Sequence, residues 1–343
     1  MYAEVAVDFA LSFGENFLAQ LRSPTLAFLL GGMALGATGS RLSIPDAIYR
    51  FIVFILLMSI GLEGGMEIRE ANLGALALPA LFAAVAGCAC VLIGLVTLMR
   101  LPGVSRADAL ATSGLFGAVS ASTLAAAMIV LDERAIDFEA WAPALYPFMD
   151  IPALVLAIVL ARLGSASGKV RKAARSENIG VRSIVVDSLQ GSALSALILG
   201  LVLGLVAQPA SVHEEFYKPL FRGFLSILML IMGMEAWSRL AELRRVAHWY
   251  LLYAVVAPIV HGFIGFGLGW IAHETVGFSP GGAVILAVIA ASNSDISGPP
   301  TLRAGIPSAN PAAYIGSSTS VGTPVAIAVC IPFFVALSEI VFA

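Results

Sequence analysis

Two short polar stretches carry the residues best suited to chemistry in this chain. Ser120-Ala-Ser-Thr123 closes the run Gly114-Leu-Phe-Gly-Ala-Val-Ser-Ala-Ser-Thr123, and Ser292-Asn-Ser-Asp-Ile-Ser-Gly-Pro-Pro300 follows a run of aliphatic residues. Both interrupt apolar sequence where a continuous helix would carry Leu, Ile or Ala. An interrupted helix exposes amides at the start of its second half and carbonyls at the end of its first, and away from water those groups need partners. A bound ion can be that partner. The partly positive start of a half-helix suits a small anion, while carbonyl and side-chain oxygens suit a cation such as sodium. The pattern places second half-helices after Ser120 and after Ser297. Both serines are N-cap candidates, and Pro299 falls in a first turn, where its missing N–H does no harm. Asp150, in Tyr146-Pro-Phe-Met-Asp-Ile-Pro152, adds a carboxylate between two prolines that would each free a backbone carbonyl. With Asp295 and nearby hydroxyls it could complete an oxygen-rich cation site.

Close helix packing is the competing reading of such small residues. It suits Gly32 with Gly36 and Gly200 with Gly204. It suits the two polar stretches less well, because packing requires neither Asp295 nor the proline pair.

The elements that must position these residues are transmembrane helices. Of 343 residues 59% are hydrophobic and 12% charged, with a mean hydropathy of +0.94, against about 25% charged residues in soluble domains. Ten apolar runs approach the ~20 residues that span a bilayer core. They cover residues 24–40, 46–65, 74–99, 108–131, 141–163, 190–207, 217–236, 247–272, 281–302 and 311–341. The fold class is therefore an all-α integral membrane protein of ten transmembrane helices.

The chain also repeats itself. Arg50, Gly61 and Glu63 recur as Arg222, Gly233 and Glu235, a shift of 172, and the same shift carries Ser120 onto Ser292 and Asp150-Ile-Pro152 onto Gly322-Thr-Pro324. The sequence divides into an N-terminal amphipathic segment (1–22), a five-helix repeat (23–163), a polar linker (164–183) and a second five-helix repeat (184–343). Because each repeat holds an odd number of spans, the two lie in opposite orientations. Inverted repeats whose matching spans four and nine are interrupted mark an alternating-access secondary transporter, with its binding site at the interruptions.

Charge sets the orientation. The linker face receives fourteen of the 19 Lys and Arg, including Lys169, Arg171, Lys172 and Arg175 of the linker itself. The positive-inside rule then puts 164–183 in the cytoplasm and both termini outside. The first 22 residues lack a basic start and carry Glu4, Asp8 and Glu15, unlike a cleaved signal peptide, while Phe9, Phe13, Phe17 and Leu21 fit an interfacial amphipathic helix.

Cys88, Cys90 and Cys330 lack metal-site spacing and read as packing residues. His261 falls inside a span, where a proton relay is conceivable and a satisfied polar group beside Gly262 is the simpler reading. Glu63 and Glu235, at equivalent span ends, read as boundary residues. No nucleophile, base and metal constellation recurs, so an enzyme is not indicated.

Several segments resemble the cyanobacterial-type sodium-dependent bicarbonate transporter family: Gln20-Leu-Arg-Ser-Pro-Thr-Leu-Ala-Phe-Leu-Leu-Gly-Gly-Met33, Gly114 to Thr123, Ala144-Leu-Tyr-Pro-Phe-Met-Asp-Ile-Pro-Ala-Leu-Val155 and Ile306-Pro-Ser-Ala-Asn-Pro311. The resemblance implies a core domain with crossing broken helices (spans three to five and eight to ten) beside a gate or scaffold domain (spans one, two, six and seven). It implies sodium-coupled bicarbonate import across the bacterial inner (plasma) membrane, a homotrimer among membrane lipid, and a cytoplasmic PII-like regulatory protein as partner. No nucleic acid and no cofactor beyond co-transported sodium is implied. The chain departs from the family pattern in a more polar, proline-rich second break, which adds Asp295, and in a short linker.

From the half-helix ends and the oxygen donors beside them, bicarbonate is expected on Gly117, Ala118, Ser120, Ser122, Thr123, Ser297 and Gly298, and sodium on Asp150, Ser294, Asp295 and Thr323. Two readings with the same architecture stay open: a sodium symporter of a small organic carboxylate, and a sodium/proton antiporter.

Overall fold

The computed structural model describes residues 24–70, 73–164, 192–207, 209–243, 248–295 and 298–342, with residues 14, 182, 186, 189 and 190 besides. The amphipathic segment 1–22 and the linker 164–183 therefore lie almost wholly outside the described residues, as does Ser297.

Every described element is helical. In chain order these are α1 (Pro24–Ala37), α2 (Asp46–Glu70), α3 (Leu73–Leu98), α4 (Arg106–Gly117), α5 (Ala121–Glu133), α6 (Leu145–Gly164), α7 (Ser192–Ala207), α8 (Lys218–Leu243), α9 (His248–Val276), α10 (Pro280–Ala291), α11 (Gly298–Gly305), α12 (Pro311–Ser317) and α13 (Ile331–Val341). Short 3-10 and π-helical turns precede α6 and α8, and two π-helical turns, Ser318–Gly322 and Ala326–Cys330, join α12 to α13 through Thr323–Val325.

Seven stretches are long and apolar enough to cross a membrane: Asp46–Met66, Gly74–Leu98, Arg106–Glu133, Ala142–Leu163, Ala210–Leu240, His248–Val276 and Pro311–Val341. The first, sixth and ninth of the ten expected runs form shorter apolar helices of 14, 16 and 12 residues, α1, α7 and α10. At 1.5 Å per residue these fall short of a ~30 Å hydrocarbon core. For α10 the cause is visible in the sequence, since the polar stretch from Ser292 ends it.

The two interrupted runs form the interior. The most apolar window of Arg106–Glu133 is 100% buried, against 39–61% in the other six long stretches, and α10 is buried from Gly281 to Ala291. Outer helices turn apolar side chains outward, Leu81, Val85 and Leu92 on α3 and Leu252, Val256 and Trp270 on α9. Such faces suit a hydrocarbon surrounding.

Glycines set the crossings among the remaining helices. On α1 and α8, a Cβ added to Gly32 would run into the Leu230 carbonyl, and one on Gly233 would lie 3.0 Å from the Gly32 Cα. On α2 and α7, a Cβ on Gly61 would lie 2.9 Å from the Gly200 Cα, and one on Gly204 would lie 3.0 Å from the Gly65 Cα. The packing reading of Gly32, Gly36, Gly200 and Gly204 holds, with Gly36 against the Trp237 ring. Under the shift of 172, α1 corresponds to α7 and α2 to α8, so the two crossings correspond to each other, each joining a helix to the counterpart of its neighbour.

Carboxylates clamp the outer ends of the interrupted runs. Ser105 caps α4 by accepting from the Asp108 N–H at 3.1 Å, and Asp108 Oδ1 accepts from the Asn310 N–H at 2.6 Å, holding the start of α12. Ser279 caps α10, and its N–H and hydroxyl donate to Glu139 at 2.8 and 2.7 Å. Shifting Glu139 and Ser279 by 172 lands one residue from Asn310 and Asp108.

Candidate functional site

The first interruption leaves backbone groups without helical partners, and four of them find one elsewhere in the protein. Ala118 is extended (φ −94, ψ 163), and its N–H closes α4 on the Gly114 carbonyl at 3.1 Å. Val119 and Ser120 would ordinarily donate to Leu115 and Phe116 four residues back. Instead the Val119 N–H donates to Asp150 Oδ1 at 2.9 Å and the Ser120 N–H to Ser292 Oγ at 3.0 Å. The released Leu115 carbonyl accepts from the Ser294 N–H at 2.9 Å. The released Phe116 carbonyl lies 3.2 Å from His261 Nδ1, which must be the protonated ring nitrogen, because a carbonyl only accepts. His261 is thus the satisfied polar group its sequence context indicates. An acidic side chain, the other interruption and an outer helix together stabilise a break that buried backbone could not otherwise sustain.

Beyond the break, Ser120 caps α5. Its backbone is extended (φ −96, ψ 122), and its Oγ accepts from the Thr123 N–H at 3.2 Å and from the Thr123 hydroxyl at 3.1 Å. The first-turn amides of Ala121 and Ser122 are those that no helical carbonyl reaches. The second interruption begins where Ser292 leaves α10, donating through Oγ to the Ile289 carbonyl at 2.7 Å. Ser294 Oγ accepts from the Gly298 N–H at 2.8 Å, so α11 starts where expected, with Pro299 in its first turn.

The two breaks meet at Asp295. Its Oδ2 accepts from Ser122 Oγ at 2.8 Å and from Ser120 Oγ at 3.2 Å, at the start of α5. Its Oδ1 is buried without a hydrogen-bond partner among the described residues. Glu235 on α8 pairs with Arg239 at 3.3 Å.

Asn293 forms a third cluster. Its Oδ1 accepts from Ser318 Oγ at 2.5 Å and Thr323 Oγ1 at 2.8 Å, and its buried Nδ2 has no hydrogen-bond partner among the described residues. Ser318 and Thr323 bracket a π-helical turn, a feature frequent at functional sites.

Among the residues expected to hold an anion, the structure brings Ser120, Ser122 and Thr123 together around one hydroxyl network. Gly117 instead packs against α3, where a Cβ would lie 2.8 Å from Val91 Cγ2 and 3.0 Å from the Gly87 carbonyl. Ala118 has spent its N–H on Gly114, and Gly298 has given its own to Ser294. The residues expected around sodium fall into neighbouring groups: Asp150 on Val119, Asp295 on Ser120 and Ser122, Thr323 on Asn293, and Ser294 on Gly298. Of the prolines beside Asp150, Pro147 falls in the first turn of α6, where no helical bond is lost, and Pro152 lies further in, so one carbonyl is freed rather than two. The sequence reading singles out neither Asn293 nor Ser318. The available signal was that Asn293 stands where the first repeat has Ala121.

The signature of the Na+-dependent bicarbonate transporter superfamily matches residues 24–339. The chain belongs to that superfamily. The match runs from the start of α1 into α13 and so includes both interruptions with Asp150 and Asp295. No curated protein matches the chain. Membership makes this a transporter of a family that moves bicarbonate in dependence on sodium, and its apolar helices make it a multi-pass membrane protein.

Proposed function

We propose that the protein is a sodium/bicarbonate symporter that works by alternating access, with bicarbonate seated at the start of α5 and sodium held beside it by carboxylate and hydroxyl oxygens. One observation carries the reading. The two interruptions sit in the enclosed centre and bond to each other through corresponding positions, Ser120 N–H to Ser292 Oγ across a separation of 172 residues. An inverted repeat about that meeting point is supported by the paired glycine crossings and the paired carboxylate clamps.

The chemistry follows from the charges. Neither break contains Lys or Arg, so an anion there depends on the α5 helix end, the Ser120 and Ser122 hydroxyls and the charge of a cation. Sodium on Asp150 or Asp295 supplies that charge. Importing one anion against an inside-negative 100 mV costs ~2.3 kcal/mol, which one co-transported sodium cancels, leaving its concentration gradient as the drive.

The test is uptake of labelled bicarbonate into proteoliposomes at fixed pH and membrane potential, with an inward sodium gradient and then with potassium in its place. Sodium-dependent uptake is the expected result. Uptake indifferent to sodium, or none from folded protein, would reject symport.

A further inference from the structure

We infer that Asp295 is a tethered occupant of the anion seat: its carboxylate holds the start of α5 until sodium draws it away, so that sodium binds before bicarbonate. The inference rests on the reading above and assigns an order to its two ligands.

The Asp295 carboxylate and bicarbonate share a planar, negatively charged O–C–O group. The hydroxyls that hold Asp295 Oδ2, those of Ser122 at 2.8 Å and Ser120 at 3.2 Å, are also the groups in place to receive bicarbonate. A helix start favours one negative charge. A second in the same hydroxyl network meets a like charge, and no Lys or Arg in either break offsets it. With Asp295 where the structure has it, bicarbonate and the side chain exclude one another.

The other face of the same carboxylate is suited to a cation. Oδ1 is buried without a hydrogen-bond partner among the described residues, which leaves a carboxylate oxygen open to a cation. Asp295 is only partly enclosed, unlike the fully buried Asp150. Sodium on Oδ1 neutralises the charge and competes with the serine hydroxyls for the carboxylate, and the seat opens. The first repeat has no such device, since the position corresponding to Asp295 is Thr123.

The experiment measures equilibrium binding of labelled bicarbonate to the purified full chain in lipid nanodiscs, at fixed pH, in potassium and in sodium. It compares the unmodified protein with Asp295→Asn and Asp295→Thr, the second reproducing the residue of the first repeat, and thermal melting establishes that each is folded. In the unmodified protein sodium should tighten binding by about 10–100-fold, the usual range of coupling between sites. Both variants should bind in potassium within about threefold of the unmodified protein in sodium, with little further gain on adding sodium. A residue that only ligates sodium gives the opposite pattern: weak binding in potassium, as in the unmodified protein, and a need for more sodium. That pattern would overturn the tethered occupant while leaving the symporter standing. Failure of the unmodified protein to bind bicarbonate in sodium would overturn the symporter itself, and this inference with it.

Discussion

The two interruptions occupy corresponding positions and solve the same problem differently. The first is built from small residues, and its acid comes from outside: Asp150 on α6 reaches in to hold the Val119 N–H. In the second the corresponding outside position is Gly322, and the polar group sits in the break itself as Asn293, whose Nδ2 lies 2.8 Å from where a Gly322 Cβ would be. The second break also carries its own acid, Asp295, which crosses to the hydroxyls of the first. Both carboxylates therefore converge on residues 119–122, while the second break keeps a neutral amide network. Two helix ends meet here, and the negative charge gathers at one of them.

If that asymmetry is functional, the two acids should not be equivalent. Asp150→Asn should have the largest effect, a loss of sodium-driven uptake of about 100-fold, corresponding to ~2.7 kcal/mol. It removes a buried charge from the cation side and weakens the acceptor of the Val119 N–H. Asp295→Asn should leave more uptake and loosen its dependence on sodium. Equal losses in both variants, measured in the same vesicles, would dissolve the distinction between the breaks.

The next effect tests the exchange of Asp150 for Gly322. Gly322→Ala puts a methyl group 2.8 Å from Asn293 Nδ2 and 2.8 Å from Phe116 Cε1, which should cost about 1–3 kcal/mol by overpacking. Asn293→Ala alone strands the Ser318 and Thr323 hydroxyls. If the amide fills the space that the missing side chain vacates, the double variant should be less destabilised than the sum of the singles by ~1 kcal/mol in thermal or denaturant unfolding. Simple additivity would mean that glycine and amide do not compensate one another.

How much of this was legible beforehand depends on the range of each interaction. Helix runs could be read from apolar length, and the Ser120 cap could be read locally, because its hydroxyl serves a backbone amide three residues on. Pro299 falls in the first turn of α11 for the same local reason. The partners of the break were not legible. Asp295 meets Ser122 across 173 residues, and Asn293 meets Thr323 across 30, and no spacing rule identifies which hydroxyl a distant acid will find. The shift of 172 aligned Ser120 with Ser292 without indicating that the two bond to each other. Gly117 and Ala118 looked like anion-binding backbone because they border the break, and packing on α3 and closure on Gly114 claim them instead.

A smaller effect follows from losing the cap. Ser120→Ala should destabilise the protein by ~1 kcal/mol, as N-cap removal generally does, and should also take one of the two hydroxyls from Asp295. Uptake should fall by several-fold rather than vanish, because the Ser122 hydroxyl remains to receive bicarbonate. Ser292→Ala, at the corresponding position, removes the acceptor of the Ser120 N–H and the hydroxyl that bonds the Ile289 carbonyl at the end of α10, so its cost should fall on the junction between the breaks and not on the start of a half-helix.

The smallest effect belongs to the outer end of α5, where the asymmetry reaches the surface. Glu133 ends the half-helix and accepts from Arg222 on α8 at 3.0 Å, with side chains 36% and 60% exposed. The shift of 172 relates Arg222 to Arg50 and Glu133 to Gly305, so the second repeat cannot form the same pair. Two exposed charges in a high-dielectric setting gain little beyond the entropy lost in holding them, typically under ~1 kcal/mol. Arg222→Ala should therefore shift unfolding by a few tenths of a kcal/mol at most and leave sodium-driven uptake within about twofold. A tenfold loss instead would mean that this pair fixes the tilt of α5 over its seat, extending the difference between the two repeats from the ion site to the contact between α5 and α8.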